Sequence, residues 1–333
     1  MKKEISSCLI TGGTGSFGQA LTTKLLEDKS WKKIIIFSRD ELKQYEMREK
    51  FNNNERLRFF IGDIRDKQRL IYAFNNVNVV FHAAALKQVP SSEYNPTECI
   101  KTNIYGAENI IDAAINCHVK KIIALSTDKA AAPINLYGAS KLVSDKLFAA
   151  ANNITGNNKT IFSIVRYGNV LNSRGSVLPL FKKYIKEKKA LPITDLDMTR
   201  FFITLTDGVN FVLKCLKRMK GGEIFIPKIP SFKIIDLAYA MNDKSKFNII
   251  GVRPGEKIHE QLFTTSDNIN IIEFKDFFII KPAFSIRRIN YHTTIFGEIG
   301  KKINQKIEYN SNNNNQKLSI NEIKKKFKEI KII

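Results

Sequence analysis

The sequence predicts an α/β protein: a doubly wound parallel sheet with a smaller lobe carried towards the C-terminus. Three observations predict it. Short β-branched runs alternate with longer amphipathic stretches through the first two-thirds of the chain, the rhythm of strand–helix–strand units. A glycine-rich loop closes the first run and opens the first amphipathic stretch, the place where a parallel sheet receives a ligand. The composition is that of a chain with a core, 333 residues at 43% hydrophobic and 26% charged, and no uncharged apolar run reaches the roughly 18 residues of a membrane span.

Ile5–Ile10 is the first strand: the apolar stretch behind a signal-like Met-Lys-Lys start breaks at Thr11-Gly12-Gly13, too early for a signal peptide. Lys33–Phe37, Arg58–Ile61, Val77–Phe81, Lys121–Leu125 and Ile161–Val165 repeat the short apolar run and read as buried strands. Between them Phe17–Glu27, Glu41–Phe51, Lys67–Phe74, Glu98–Cys117 and Tyr137–Ala151 read as helices. After about Arg174 the rhythm changes. Helices expected at Val177–Glu187, Asp207–Met219 and Lys233–Met241 are separated by proline-bearing segments, Leu191-Pro192 and Ile226-Pro227-Lys228-Ile229-Pro230. The expected division is a first unit over 1–170 to which later segments return, a smaller lobe over 171–275, and a C-terminal extension over 276–333. In that extension Asn310–Gln316 is a low-complexity polar tract, expected to be a loop or a disordered link, and residues 321–333 a short amphipathic helix.

The formal charge of +22 admits nucleic acid, an anionic membrane surface or anionic small substrates. The lysines are spread along the chain, and the last 33 residues hold nine lysines against three glutamates, so neither nucleic-acid binding nor membrane insertion is expected. Cys8, Cys99, Cys117 and Cys215 show no CxxC spacing and no pairing with the four histidines. They read as reduced thiols of a cytoplasmic protein with no metal site.

The loop Thr11-Gly12-Gly13-Thr14-Gly15-Ser16-Phe17-Gly18 holds both GxxGxxG and GxGxxG between a strand and a helix. Gly12, Thr14, Gly15, Ser16, Phe17 and Gly18 can therefore bring backbone N–H groups and a helix N-terminus against a pyrophosphate. The second strand ends Ser38-Arg39-Asp40, with Lys43 one turn into the next helix. A carboxylate there takes the ribose 2′-hydroxyl of NAD, whereas a guanidinium suits a 2′-phosphate. Arg39 favours NADP, Asp40 keeps NAD open, and a plain surface pair of the two is the alternative. Asp63, followed by Ile64, is placed to accept from the adenine amino group. Ala83, Ala84 and Ala85 are small enough for close approach, and His82 reads as a core histidine.

The fifth strand runs into Ser126-Thr127-Asp128-Lys129, and Tyr137-Gly138-Ala139-Ser140-Lys141 follows. Tyr and Lys at i and i+4 share one helix face. A free tyrosine with a pKa of about 10 is a poor base; the Lys141 ammonium and a positive nicotinamide favour the phenolate.

These strings, TGGTGSFG, HAAALKQVP, STDKA, YGASK and RYGN in this order, resemble the extended short-chain dehydrogenase/reductase family with its Rossmann sheet. SRDELKQ, EYNPTECIKTN, STDKAAAPINLYGASK, RYGNVLNSRGSVLPLF, MTRFFITL, GGEIFIPKIPS and GVRPGEKIHE resemble the inverting UDP-N-acetylglucosamine 4,6-dehydratases over about residues 5 to 265. The resemblance implies a hydro-lyase with bound NADP, acting on UDP-N-acetylglucosamine as the first step towards pseudaminic acid, and a homo-oligomer. It implies that Tyr137, with Thr127 and Lys141, takes the 4-hydroxyl proton, that neutral Lys129 abstracts the C5 proton, and that Asp128 protonates the departing 6-hydroxyl. Retaining relatives carry Asp-Glu where this chain has Asp128-Lys129. Lys129 is then expected to fall towards neutrality and Asp128 to rise; a plain loop salt bridge is the alternative. Lys87 is implied beside substrate and cofactor, with Asn103 bracing the site. Asn169, Arg174, Gly175 and Ser176 are implied at the diphosphate, Thr194, Met198 and Arg200 at the uridine side, and Arg253 and Glu256 at phosphate and ribose. An N-acetyl-L-fucosamine-branch dehydratase, a UDP-hexose 4-epimerase and a non-catalytic binding protein are the competing readings.

Overall fold

The computed structural model describes residues 6–156, 159–171, 176–303 and 306–330. Six strands follow the expected runs: β1 (Ser7–Thr11), β2 (Lys33–Ser38), β3 (Leu57–Ile61), β4 (Val79–His82), β5 (Lys121–Thr127) and β6 (Ile161–Tyr167). They are parallel and lie in the order β3-β2-β1-β4-β5-β6. The chain winds outwards from β1 on one side and from β4 on the other, so a crevice opens beyond their carboxyl ends. β1 and β4 are buried at every residue, as strands with helices on both faces must be.

The sheet continues past β6. Ile224–Pro227 pairs parallel with β6; Phe277–Ile280, Ile271–Glu273 and Lys301–Lys302 then add antiparallel strands. A second apolar core gathers Leu178 and Phe181 of the helix Val177–Lys186, Leu237 of the helix Ile234–Met241, and Ile323 and Phe327 of the helix Ile320–Glu329. Ile323 and Phe327 stand four apart on one face, and a Ser319–Glu322 capping box starts their helix. Among the described residues of 276–333, segments thus join the main sheet, a two-stranded pair of Tyr309–Asn310 with Gln261–Phe263, and the second core.

Two local expectations change. The single helix expected over Glu98–Cys117 is Pro96–Ile100 and Gly106–Asn116, joined by a wide π turn over Lys101–Tyr105. Asn103 sits on that turn, and its amide clasps Leu86, accepting from its N–H and donating to its carbonyl, both at 2.9 Å. The polar tract Asn310–Gln316 is not a free link. Ser311 is fully buried, Tyr309–Asn310 pairs with Gln261–Phe263, and Asn314 Nδ2 donates to the Ile229 carbonyl at 2.8 Å. The Ile229 carbonyl thus has two donors, Asn314 and the Tyr309 hydroxyl at 2.8 Å.

Candidate active site

Beyond the carboxyl ends of β1 to β6 lies one cleft of about 1130 Å³. Gly12 begins it, in the left-handed region at φ +65°, where a Cβ would stand 2.9 Å from the Ala84 backbone. Only glycine lets the loop close on the end of β4. Gly15 caps the helix Ser16–Glu27 with no side-chain bond, so the first-turn N–H groups stay open towards the cleft. Thr14, Ser16, Phe17 and Gly18 line it too, as do Ser38, Arg39, Asp40, Lys43, Asp63, Ile64, Ala83, Ala84, Ala85 and Lys87. The residues present suit a dinucleotide: a glycine turn, uncapped helical N–H groups and a small-residue wall.

At the β2 end, Asp40 caps the following helix, accepting from the Lys43 N–H at 3.0 Å and pairing with the Lys43 ammonium. Arg39 does not pair with it. Its side chain is 56% exposed, and the guanidinium faces Asp63 at 3.6 Å, which Arg65 also holds at 2.7 Å.

The catalytic end is built on two elements. β5 stops at Thr127 and the chain makes one 3₁₀ turn, Asp128–Ala130. The helix Leu136–Ala151 starts against that turn, capped by Asn135, whose Oδ1 accepts from the Gly138 N–H and whose Nδ2 donates to the Gly255 carbonyl, both at 2.7 Å. A Cβ on Gly138 would stand 2.2 Å from the Lys129 carbonyl oxygen, so glycine lets the helix lie on the turn. Tyr137 thereby stands beside Thr127, whose hydroxyl lowers the proton affinity of the phenol. The Lys129 ammonium has three acceptors: Asp128 Oδ1 at 3.1 Å, Asn169 Oδ1 at 3.0 Å and Glu260 Oε1 at 3.0 Å. Thr127 Oγ1 donates to Asp128 Oδ1 at 2.9 Å.

Thr127, Lys129, Tyr137, Lys141, Asn169, Ser176, Thr194, Met198, Arg200, Arg253 and Glu256 all line the same cleft. Asp128 is fully buried behind Thr127 and Lys129. Asn103 stands behind the wall as well, donating to Ser140 Oγ at 2.9 Å besides its clasp on Leu86. Arg174 and Gly175 lie outside the described residues.

Electrostatics agree with one expectation and correct two. Burial lifts the Asp128 carboxyl, Glu260 lifts it further, and Lys129 and Thr127 oppose. Lys129 does not fall towards neutrality. Burial pulls it down, but the Asp128 and Glu260 carboxylates outweigh that and Arg200, so the ammonium is held. Burial also pushes Tyr137 up to about 12, and the cation that pulls it back is Lys129. Lys141, expected in that role, is itself buried and lowered, with Asp145 opposing. His82 is a core residue: burial first, then Lys141, pushes it down to about 3, and Nδ1 meets Thr11 Oγ1 at 2.8 Å.

Sequence reasoning passed over two features. Glu260, 1% exposed, faces both Lys129 and Arg200 Nε, the latter at 3.7 Å; it closes the string GVRPGEKIHE, from which only Arg253 and Glu256 were read. Asp145 and Arg166 form a buried pair at 2.9 Å under the site, with Ser126 Oγ donating to Asp145 at 2.7 Å. An aspartate one turn beyond Lys141 was its only signal.

The profile of a family described as polysaccharide biosynthesis proteins matches residues 8–282. The chain belongs to this family. Within the family it is 56% identical over 318 residues to an inverting UDP-N-acetylglucosamine 4,6-dehydratase of Campylobacter jejuni, covering 95% of each chain. It is also 43% identical to a UDP-glucose 4-epimerase of Rickettsia canadensis, over 95% of this chain and 93% of the relative. Among solved structures, Pen from Bacillus thuringiensis superposes with a TM-score of 0.86 at 37% identity, over 99% of this chain and 100% of that one. A dTDP-glucose 4,6-dehydratase of Streptomyces venezuelae, solved with NAD and TYD, shares the fold at 21% identity and a TM-score of 0.67, over 77% of this chain and 86% of that one.

Proposed function

We propose that the protein is an inverting UDP-N-acetylglucosamine 4,6-dehydratase that keeps a tightly held NADP. The observation that carries this reading is the Asp128–Lys129 pair at 3.1 Å beside Tyr137, in one cleft with an open dinucleotide loop. The 56% identical relative of that name supports it. A bound nicotinamide would supply hydride removal at the sugar C4 and hydride return at C6, the return being balanced by a proton delivered to C5 on the face opposite Lys129, so that the cofactor would be regenerated each turnover.

The chain's own residues move the protons. Tyr137 takes the 4-hydroxyl proton as the ketone forms, and Lys129 and the Thr127 hydroxyl favour its phenolate. The ketone acidifies C5–H. An ammonium with three acceptors is no base, but one proton passed along the Lys129–Asp128 bond makes a neutral amine and a carboxylic acid together. These are the base for C5 and the acid for the 6-hydroxyl. Asp128 is buried, so the transfer runs through Thr127 Oγ1, 2.9 Å away and lining the cleft: its hydroxyl gives its own proton to the departing 6-hydroxyl and takes that of Asp128 in exchange. Arg253 and Lys87 supply positive charge for the diphosphate, with Arg200 on the uridine side.

NADP is favoured because Asp40 is occupied by its own helix and Lys43, whereas Arg39 stays exposed at the rim. The product suits pseudaminic acid synthesis. A nucleotide-sugar 4-epimerase is the second reading, favoured by the 43% identical relative; it needs no C5 base, and leaves the Lys129 cluster without a task.

The test is an NMR time course with UDP-N-acetylglucosamine in D₂O without added reductant. A 6-deoxy-4-keto product with deuterium at C5 and L-arabino configuration is expected. A D-xylo ketone would remove the inverting assignment, and a C4 epimer would replace it with the second reading.

A further inference from the structure

The elimination calls for one acid beside Lys129, yet two buried carboxylates hold its ammonium. Asp128 belongs to the same turn as the lysine. Glu260 comes from a distant segment whose backbone is fixed with unusual care. Ser311 N–H donates to the Glu260 carbonyl at 2.8 Å, the Glu260 N–H donates to Ser311 Oγ at 3.0 Å, and that hydroxyl meets Thr199 Oγ1 at 2.6 Å. The next residue after Thr199 is Arg200, itself locked by bonds to the Thr199 and Ile258 carbonyls at 2.8 and 2.9 Å. The Asn-rich tract therefore clamps the segment that carries Glu260 to the strand that carries Arg200. Glu260 Oε2 is buried with no hydrogen-bond partner among the described residues. A charge in such a place is costly to keep and is no argument for stability.

We propose that Glu260 is a positioning residue of the dehydration step, holding Lys129 in its three-acceptor socket and tying it to Arg200. This rests on the dehydratase reading above. Without the Glu260 acceptor the flexible lysine stem is held by Asp128 and Asn169 only, and the amine loses its fixed approach to C5.

The charged groups that act on Glu260 are Asp128 and Lys129 from the turn, Arg200 from the strand Thr199–Phe201, and Lys257 from its own loop. Glu260 raises the proton affinity of both Asp128 and Lys129. Neutralising it lowers both, and the pair titrates as a unit.

The experiment is Glu260→Gln in the full chain, with kcat and KM for UDP-N-acetylglucosamine measured across pH and deuterium uptake at C5 followed in D₂O. The expected result is a fall in kcat on the order of 100-fold, a KM within about twofold of the parent, and both limbs of the pH profile displaced to lower pH. Glu260→Asp keeps the charge, so it should regain part of kcat and the parental profile. Parental kcat with an unshifted profile in Glu260→Gln overturns the proposal. A change in KM alone overturns it too, because Glu260 would then serve Arg200 only. Should Glu260→Gln not fold, Glu260→Asp decides: reduced kcat at parental KM supports the proposal, and parental kcat overturns it. Absence of any 6-deoxy-4-keto sugar from the wild type overturns the dehydratase reading and this proposal together, whereas normal wild-type product beside an unaltered Glu260→Gln overturns the proposal alone.

Discussion

Replacing Gly138 by alanine tests whether the Asp128–Ala130 turn sets the position of the catalytic helix. The added Cβ would start 2.2 Å from the Lys129 carbonyl oxygen, where contacts under 3.0 Å essentially never occur, so the gap must open by about 0.8 Å. Relief on one side is blocked, because the Lys129 carbonyl carbon at 3.0 Å and Pro133 Cβ at 3.2 Å stand beside the same atom. The helix must therefore move off the turn and take Tyr137 with it, away from Thr127. Overpacking of this kind costs about 1–3 kcal/mol, and a misplacement of about 1 Å at reacting groups costs about 100-fold in rate. Gly138→Ala is expected to lose that much turnover and to unfold at lower temperature, while the glycine loop at Gly12 to Gly18, built on another strand, still binds cofactor. Steady-state turnover, thermal unfolding and cofactor titration on one preparation measure all three. Turnover within about threefold of the parent, with an unchanged unfolding midpoint, would refute the claim that this contact positions the helix.

Lys129→Ala should retain bound cofactor and lose dehydration by about 100- to 10,000-fold, the contribution of a positioned acid–base group; near-parental product formation would remove the base assignment. Asp145→Ala leaves the Arg166 guanidinium, 3% exposed, without its carboxylate. Its cost should be about 3–5 kcal/mol, read from denaturant unfolding, and parental stability would contradict the pairing. His82 is neutral in the fold down to about pH 3 but takes a proton near pH 6.5 when unfolded. The unfolded state binds more protons between those values, so stability falls as pH drops from 6.5 to 3, by up to about 1.4 kcal/mol per pH unit. His82→Gln should show a shallower acid loss over that window, and identical slopes would show that His82 does not titrate on unfolding.

Much of this architecture was legible in the sequence because parallel strands buried on both faces leave uninterrupted β-branched runs. Lys33–Phe37 is such a run, and it differs from β2 by one residue. Gly12 to Gly18 and Tyr137 to Lys141 were legible for another reason: their chemistry is local, one turn of backbone or one turn of helix. What escaped is non-local. Glu260 meets Lys129 only through the fold, and a carboxylate in a string does not announce the cation it will face. The π turn at Lys101–Tyr105 is invisible to periodicity, since the apolar residues of Gly106–Asn116 carry the helical pattern across it. Of the two readings of the Asn310–Gln316 tract the loop holds and the disordered link does not: polar low complexity suggests solvent, whereas Ser311 and Asn314 spend their polar groups on buried backbone. The direction of Lys129's titration depends on two carboxylates, Asp128 beside it in the chain and Glu260, which only the fold brings to it.

The order of the strands also sets a timetable for assembly. β1 to β6 and the glycine loop are all made before residue 170 of the chain, so the nucleotide half of the cleft can close early in synthesis. Phe277–Ile280, which completes the sheet beside Ile224–Pro227, and Ser311, which fixes Glu260, are made near the end. Long-range pairings of this kind form late, because loop closure costs entropy before the contacts repay it. Along the chain, then, every residue of the glycine loop and of β1 to β6 precedes the Ser311 clamp on Glu260, which lies in the last fifth of the molecule.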